Sequence, residues 1–142
     1  MTPNDCAFCG IVGRSEPADI VAESERAVAF MDINPATDGH ALVIPKRHAR
    51  TIWDLDADDG RAVWMLTQDV ARAIRTALDP HGLTLFVANE EAGWQDVFHF
   101  HVHLVPRWRG DELVKPWRPS DTKRGGIGTA ATKIRAALRE DG

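Results

Sequence analysis

The chain has few cysteines, no long hydrophobic run and no excess of positive charge, and each absence narrows its class. Only two cysteines occur in 142 residues, which excludes a disulfide-rich secreted scaffold. No run reaches the roughly eighteen apolar residues that a membrane-spanning helix needs. The first residues contain neither the basic nor the apolar segment of a secretory signal. We therefore expect a cytosolic protein that does not bind membranes.

The charge balance argues against nucleic acid as a partner. The formal net charge is −4, from 17 basic and 21 acidic side chains, so no broad attraction to phosphate backbones is expected. Hydrophobic residues make up 44% and charged residues 27% of the chain, as in soluble globular proteins. No repeat, low-complexity block or linker interrupts the sequence, which predicts a single domain over residues 1–142.

Apolar segments bounded by turn residues predict an antiparallel sheet of about five strands, over residues 19–23, 27–32, 40–45, 83–89 and 97–107. One main amphipathic helix is predicted over residues 56–78, where the apolar positions follow helical spacing: Val63, Leu66, Val70, Ile74 and Ala77. Short helices are expected at 8–13 and 129–138, and residues 107–128 are expected to be irregular. Short connections around one central helix indicate an α+β fold.

Three histidines alternate with apolar residues near the end of the chain. His99, His101 and His103 are separated by Phe100 and Val102, so an extended strand places the three imidazoles on one face. Neighbouring imidazoles are then about 6.6 Å apart, too far for one metal ion to bind all three. A row of titratable side chains is costly to bury in a packed sheet. The pattern therefore indicates a functional site.

The two cysteines form a Cys-x-x-Cys pair, Cys6 and Cys9. In a reducing compartment such a pair is more often a metal clip or a redox dithiol than a structural disulfide. A redox pair of the thioredoxin type would follow a strand, whereas this one precedes every predicted strand. Metal binding is therefore favoured, and a tetrahedral structural site needs two further ligands from elsewhere.

Three segments together resemble the histidine triad (HIT) family of nucleotide hydrolases and transferases: QDVFHFHVHLV at residues 95–105, FMDI at 30–33 followed by GHALVIPKRH at 39–48, and CAFC at 6–9. Their order and separations fit the family over residues 6–108. The resemblance implies a core at 6–108 and a C-terminal wrapping or dimer segment at 109–142. It also implies a two-fold homodimer, in which Trp108 and Trp117 are candidate interface residues.

The resemblance assigns the chemistry to three histidines. His101 is the expected nucleophile, forming a covalent nucleotidyl intermediate on the α-phosphate of a nucleoside phosphate derivative. His103 is expected to donate a hydrogen bond to a nonbridging phosphate oxygen, and His40 to orient or polarise the site. These roles suit imidazole, because the neutral ring is a good nucleophile near pH 7 and the imidazolium is a good leaving group.

The resemblance also implies substrate-binding residues. Asp32 is expected to accept hydrogen bonds from the ribose hydroxyls. Phe8 and Ile33 are expected to hold the base between apolar surfaces, and Asn89 to donate its amide to a phosphate oxygen. Gln95, which opens the triad motif, is also expected to bind substrate.

Two departures from the family pattern affect the leaving-group side of the pocket. Asp96 stands where many members have a serine or threonine hydroxyl, and we expect it to contact the substrate. A carboxylate there repels a polyphosphate unless it is turned away or protonated. The connection from Asn89 to the triad lacks the glycine pair of some relatives and contains Trp94, so the acceptor pocket is expected to differ.

In some branches of the family a zinc ion is held by a Cys-x-x-Cys pair, by a histidine that ends the Pro-Lys-Arg-His run and by the first triad histidine. The matching residues are Cys6, Cys9, His48 and His99. This Cys₂His₂ set leaves no open coordination position, which implies a structural zinc. His99 would then bind the metal, while His101 and His103 remain for the phosphate.

The sequence leaves several functions open. We expect a hydrolase or transferase that acts on purine nucleoside phosphoramidates or similar derivatives. A dinucleoside polyphosphate hydrolase or phosphorylase is an alternative within the same class. An enzyme that uses a catalytic metal with an open position, and a nucleotide-binding interaction module with little catalysis, are alternatives from other classes.

Overall fold

The computed structural model describes residues 5–141 and divides the chain into two compact units, one ending at Asp111 and the other beginning at Glu112. The first unit contains α1 (Ala7–Val12), β1 (Ile20–Glu23), β2 (Ala27–Met31), β3 (Ala41–Pro45), α2 (Ala57–Leu78), β4 (Gly82–Phe86), a 3-10 turn (Glu91–Gly93) and β5 (Val102–Arg107). The second contains a 3-10 segment (Asp121–Gly126) and α3 (Ile127–Asp141). Within residues 5–141 no helix has both the length and the apolar composition needed to cross a membrane.

The five strands form one antiparallel sheet in the order β1-β2-β3-β5-β4. This confirms the predicted α+β class with five strands and one main helix. β3 lies at the centre and pairs with β5, so that Leu42 is opposite His103. His40, which directly precedes β3, is thereby brought next to the last of the three alternating histidines.

The long helix α2 covers one face of the sheet. Asp56 caps its N-terminus by accepting hydrogen bonds from the N–H groups of Asp58 and Asp59, and Val63 and Leu66 are among its buried residues. Ala77, predicted on the same face, is exposed. The helix packs against the apolar face of the sheet, which is formed by Ala27, Ala29, Ala41, Val43, Phe100, Val102 and Leu104. The opposite face therefore remains for α1 and for the histidines.

The histidine strand is shorter than the predicted 97–107, because β5 begins only at Val102. The N–H of Phe100 donates to the carbonyl of Ala49, 2.7 Å away, in the loop that follows β3. That contact draws residues 99–101 away from the ladder. β4 ends at Phe86 rather than at residue 89, since its pairing with β5 extends only to His103. The alternation of faces persists nevertheless, because Phe100, Val102 and Leu104 all lie in the core under α2.

A buried carboxylate fixes the start of α2. Asp59 is 4% exposed and accepts hydrogen bonds from Arg26 at 2.9 Å and from Arg47 at 2.8 and 2.9 Å. Burial alone would raise the pKa of this carboxyl, but the bonds from Arg47 and Arg26 outweigh it and lower the pKa below its usual value. Asp59 therefore ties the helix to the β1–β2 turn and to the segment after β3.

We predict that Gly39→Ala destabilises the protein more than Gly110→Ala. Both glycines have left-handed backbone conformations, with φ of 84° and 85°, so alanine costs about 1 kcal/mol of backbone strain at either position. At Gly39 a Cβ would also overlap Leu78 Cδ1, whereas nothing lies within 4 Å of a Cβ at Gly110. The overlapping atom is the end of a partly exposed leucine side chain that can turn aside, so Gly39→Ala should cost a further amount of about 1 kcal/mol at most. Urea unfolding measures both, and equal losses would contradict the packing constraint at the end of α2.

Candidate active site and metal centre

The ring of His101 is held in one tautomer. Its Nδ1 lies 2.7 Å from the backbone oxygen of His99, and since a carbonyl only accepts, Nδ1 carries the proton. In the neutral ring the lone pair is then on Nε2. The side chain is 2% exposed and packs edge-on against Phe8, with ring centroids 5.1 Å apart. His101 therefore has a nucleophilic nitrogen at a defined position.

His40 and His103 form a chain of hydrogen bonds that begins at the backbone of Ala36. The Ala36 N–H donates to His40 Nδ1 at 3.0 Å, so the neutral ring of His40 carries its proton on Nε2. That nitrogen lies 2.9 Å from His103 Nδ1 and donates to it. The proton of His103 is then on Nε2. His103 thus offers an N–H donor next to His101, with ring centroids 4.8 Å apart.

These two histidines are neutral at pH 7. Burial lowers the pKa of His40, although the charge of Asp32 opposes the shift. Burial, and next the proximity of His101 and His40, lowers the pKa of His103 to about 4. The hydrogen-bond chain is therefore intact under ordinary conditions, because protonating either ring would remove an acceptor from it.

Asp32 lies directly beside this pair. Its N–H donates to the carbonyl of His40 at 3.0 Å, which extends the pairing of β2 and β3 by one step. Its Oδ1 accepts from the N–H of Asn34 at 2.8 Å, and its Oδ2 lies 3.4 Å from His40 Nε2 and 3.8 Å from His103 Nδ1. The carboxylate is thus fixed at the mouth of the histidine site.

A pocket of about 240 Å³ joins these groups. Phe8 and Phe30 line its apolar part, with their rings 5.3 Å apart, and Ile33 lies at the rim with 86% of its surface exposed. Its charged lining residues in the described part of the chain are all acidic: Glu16, Asp32 and Asp96. The pocket combines an apolar slot, a carboxylate and two imidazoles, as a nucleoside phosphate would require.

Asp96 faces Nε2 of His101. Its Oδ1 lies 3.5 Å from His101 Nε2 and accepts a hydrogen bond from the N–H of Val97 at 2.9 Å. The carboxylate is therefore not turned away from His101. Of the two conditions under which the sequence analysis expects Asp96 not to repel a polyphosphate, an outward orientation is thus not met.

The side chains of Gln95 and Asn89 form hydrogen bonds with backbone groups, which the sequence does not reveal. Gln95 is buried, and its side chain accepts from the Glu90 N–H at 2.8 Å and donates to the Arg50 carbonyl at 2.7 Å. Asn89 accepts from the Ile52 N–H at 2.7 Å and is not among the described residues that line the pocket. Gln95 thus shapes the loop before the histidines, and its contacts here are with backbone alone.

Cys6, Cys9, His48 and His99 converge into a second centre beside the pocket. Their ligand atoms all lie within 4.8 Å of one another. Sulfur–nitrogen distances are 3.4 Å for Cys6–His99, 3.3 Å for Cys9–His48 and 3.5 Å for Cys9–His99. Tetrahedral coordination with bonds of about 2.3 and 2.1 Å gives a sulfur–nitrogen separation of about 3.5 Å. The four residues are positioned to bind a metal ion.

The environment of this cluster suits a cation. His99 Nε2 donates to the Pro45 carbonyl at 2.8 Å, which leaves its Nδ1 lone pair facing the sulfurs, as an outer-sphere partner of a metal-binding histidine does. Burial, followed by the hydrogen bond and charge of Cys6, raises the pKa of the Cys9 thiol to about 11. Burial lowers the pKa of His99 to about 4. A bound cation would offset the cost of forming thiolates here.

A further group of possible ligands, Asp32, His40 and His103, has its atoms within 4.8 Å of one another. The hydrogen bonds of His40 with Ala36 and His103 argue against metal binding by this group. His40 Nε2 carries the proton as long as Nδ1 accepts from Ala36, so a metal at Nε2 would have to break that bond or remove the proton. This geometry argues against a metal ion bound between His40 and His103.

Two contributors to the site were missed by sequence reasoning. The Ala36 N–H sets the tautomers of His40 and His103, yet the segment Asn34-Pro35-Ala36-Thr37 indicates only a turn. Glu16 lines the pocket, although its sequence context predicts a break after α1. No residue-type signal marks either position, because one acts through its backbone and the other through its place in the fold.

The fold and the site together define an α+β protein with a histidine-lined pocket and an adjoining Cys₂His₂ cluster. A family model described as the HIT domain matches residues 14–110. The chain belongs to the HIT family.

Known relatives agree with this assignment. The Protein hit of Bacillus subtilis (strain 168) is 36% identical over 115 residues, which are 80% of this chain and 79% of that protein. The crystal structure of a HIT family protein from Bacillus anthracis is similar with a TM-score of 0.89 and 32% identity, covering 96% of this chain and 99% of that one. A Zn-bound histidine triad family protein from Mycobacterium smegmatis is similar with a TM-score of 0.75 and 34% identity, covering 96% and 99%.

Proposed function

We propose that the protein is a nucleotide-binding hydrolase or transferase that acts on the α-phosphate of purine nucleoside phosphate derivatives, such as nucleoside phosphoramidates. The observation that carries this proposal is the tautomer of His101, which in the neutral ring places the lone pair on Nε2, beside the N–H donor of His103. A nucleophile next to a fixed hydrogen-bond donor is the arrangement that displacement at phosphorus requires.

The first step is attack by His101 Nε2 on the α-phosphorus. The phosphorus–Nε2 bond forms and the bond to the leaving group breaks, and the leaving group departs with the electron pair and takes up a proton. His103 Nε2–H donates to a nonbridging oxygen, and His40 holds the ring of His103 in that tautomer. Because the donor is in place before the reaction, no reorganisation is needed as charge develops on the oxygen.

The second step regenerates the enzyme. Water attacks the phosphorus of the nucleotidyl-His101 intermediate, the phosphorus–Nε2 bond breaks, and a proton is released to solvent with the nucleoside monophosphate. If an alcohol or amine replaces water, the same step is a transfer. Splitting one displacement into two lowers the barrier for each.

The rest of the pocket supplies the binding energy. Asp32 Oδ2 accepts the ribose hydroxyls, and Phe8 and Ile33 hold the base between apolar surfaces. Asn89 remains a predicted phosphate ligand and Gln95 a predicted substrate contact. Asn89 accepts from Ile52 through Oδ1 alone, so its Nδ2 can donate without loss of that bond. Gln95 would have to give up its bonds to Glu90 and Arg50 in order to reach the substrate.

We predict that His101→Asn lowers turnover of adenosine and guanosine phosphoramidates by at least about a thousandfold, because the nucleophile is removed. Binding of the nucleoside monophosphates should change little. Rapid quenching of the wild type should trap a nucleotide joined to His101 by a phosphorus–nitrogen bond, detected by mass spectrometry. His81→Asn is the control, since His81 accepts from the N–H of Arg109, outside the pocket.

Unchanged turnover in His101→Asn would contradict the covalent mechanism. Tight monophosphate binding by the wild type, without turnover of any derivative, would instead favour a nucleotide-binding interaction module.

We also propose that Cys6, Cys9, His48 and His99 hold a structural zinc ion. Two thiolates and two imidazoles at these separations suit tetrahedral zinc, and four protein ligands leave no position for a substrate. Such an ion would pin α1 to the segments that carry His48 and His99, and α1 contributes Phe8 to the pocket. Unoxidised cysteines are required for this role, which favours the reducing cytoplasm.

We predict that Cys9→Ser removes most of the bound zinc and lowers the melting temperature by at least about 5 °C, because binding energy at a closed site is also folding energy. Elemental analysis and thermal unfolding measure the two effects. His81→Asn should retain both zinc and stability, since it removes an imidazole outside the cluster. Purified protein with reduced cysteines and no zinc would count against the proposal.

We propose a two-fold homodimer formed through the edge strand β4. The strand pairs with β5 on one side only, and Leu83 and Leu85 are exposed on it. The other edge, β1, is shorter and has an irregular register between Ile20 and Ala22, a feature that protects an edge from pairing. The exposed apolar edge of β4 is therefore the better candidate for contact between two copies.

Light scattering should give twice the chain mass for the wild type. Leu85→Lys should shift the protein toward the monomer by placing a charge in the interface. Val21→Lys, which changes the β1 edge, should remain dimeric. A monomeric wild type would contradict the proposal.

A further inference from the structure

We propose that the acidic lining of the pocket selects the leaving group, so that substrates with a positively charged or neutral amine react faster than those with an anionic leaving group. Asp96 is the residue that makes this selection. This inference rests on the proposed function and names the substrate class within it.

The charges around the pocket are one-sided. Glu16, Asp32 and Asp96 line it, and its described lining includes no lysine or arginine. The neighbouring pair His40–His103 is joined by a hydrogen bond between neutral rings and adds no positive charge. A polyphosphate chain needs cationic partners to offset its charge, and the lining offers carboxylates instead.

Asp96 is the carboxylate closest to the reaction. Its Oδ1 lies 3.5 Å from the attacking nitrogen of His101, and the N–H of Val97 holds the same oxygen at 2.9 Å. Its side chain is 78% exposed, so it acts on groups at the open side of the pocket, where a leaving group departs into solvent. Salt will screen an interaction at such an exposed position.

The comparison between substrates isolates the leaving group. Phosphoramidates and dinucleoside polyphosphates share the α-phosphate, so the repulsion between that phosphate and Asp96 is the same for both. The two leaving groups differ in charge, since a polyphosphate adds negative charges, whereas an amine adds either no charge or a positive charge. At separations of about 6 Å in a partly solvated site, each unit of charge changes the rate by roughly three- to tenfold.

The chemical step adds to this selection. As the phosphorus–nitrogen bond of a phosphoramidate breaks and the bond to His101 Nε2 forms, the departing nitrogen keeps the electron pair and takes up a proton from solvent. One proton gives the neutral amine as the leaving group, and because the proton reaches the nitrogen before the phosphorus–nitrogen bond has fully broken, that nitrogen carries positive charge in the transition state. Asp96 stabilises the developing positive charge and destabilises a departing anion.

Three adenosine 5′-phosphoramidates test the inference, because they share the same phosphorus–nitrogen bond and differ only in distal charge. Their amines are ethylenediamine (cationic), propylamine (neutral) and β-alanine (anionic). For the wild type at low ionic strength we expect kcat/KM to fall in that order, with a cationic-to-anionic ratio of about 10 to 100. Raising the salt concentration should narrow the ratio.

Asp96→Asn should reduce the cationic-to-anionic ratio by about 10- to 100-fold, to a value near one, since asparagine keeps the shape and the acceptor for the Val97 N–H but removes the charge that acts on both compounds. Glu25→Gln is the matched control. This substitution removes one exposed negative charge outside the pocket. The cationic-to-anionic ratio of kcat/KM should therefore equal that of the wild type. Binding of the three compounds to His101→Asn, measured by calorimetry, gives the same ranking without turnover.

The outcomes separate the two proposals. Turnover with equal rates for the three compounds, or faster turnover of diadenosine tetraphosphate than of all three, would overturn the inference and leave the proposed function standing. A charge preference that Asp96→Asn does not change would overturn the role of Asp96. Failure to turn over any of them, with no nucleotide trapped on His101, would overturn the proposed function and the inference together.

Discussion

The rest of the structure depends on how His99 is held. Its buried ring donates to the carbonyl of Pro45 and turns the other nitrogen toward Cys6 and Cys9. Its own backbone oxygen accepts from His101 Nδ1, which places the lone pair of the neutral His101 ring on Nε2. One residue thus belongs to the metal-binding cluster through its side chain and orients the ring of His101, the proposed nucleophile, through its backbone.

The two faces of the sheet have different roles, since one packs in the apolar core under α2 and the other carries the histidines. The pleat places Phe100, Val102 and Leu104 under α2, where they join the apolar core. The alternate residues, His99, His101 and His103, lie on the side of α1 and the pocket. Polar rings can be buried there because each has a partner: a carbonyl, a second imidazole or a sulfur. The core under α2 therefore supports the site from behind, whereas the smaller apolar cluster on the other face shares Cys6, Phe8 and Phe30 with it.

Hydrogen bonding also explains why the imidazoles of His40 and His103 carry no charge. The chain from the Ala36 N–H through His40 to His103 needs two neutral rings, and burial keeps their pKa values below the usual range for histidine. The α-phosphate would thus be stabilised by directed N–H donors rather than by cations. Together with three lining carboxylates, this arrangement offers little to a long polyanion, which is why the leaving group becomes the point of selection.

The amino-acid sequence by itself determined the elements and the division of faces. The spacing of apolar residues predicted the bounds of α2 and of the strands to within a few residues. The alternation of His99, His101 and His103 predicted which side chains face the core and which face the site. Both follow from local periodicity, which does not depend on tertiary contacts. The Cys-x-x-Cys pair likewise indicated a metal cluster. Only the tertiary structure decided where β5 begins, which nitrogen of each imidazole carries the proton, that Gln95 binds backbone, and that Asp96 faces Nε2 of His101. These features depend on single hydrogen bonds between separate segments, such as Phe100 with Ala49 and Ala36 with His40. The residue type at one position does not specify which residue elsewhere in the chain will be its partner.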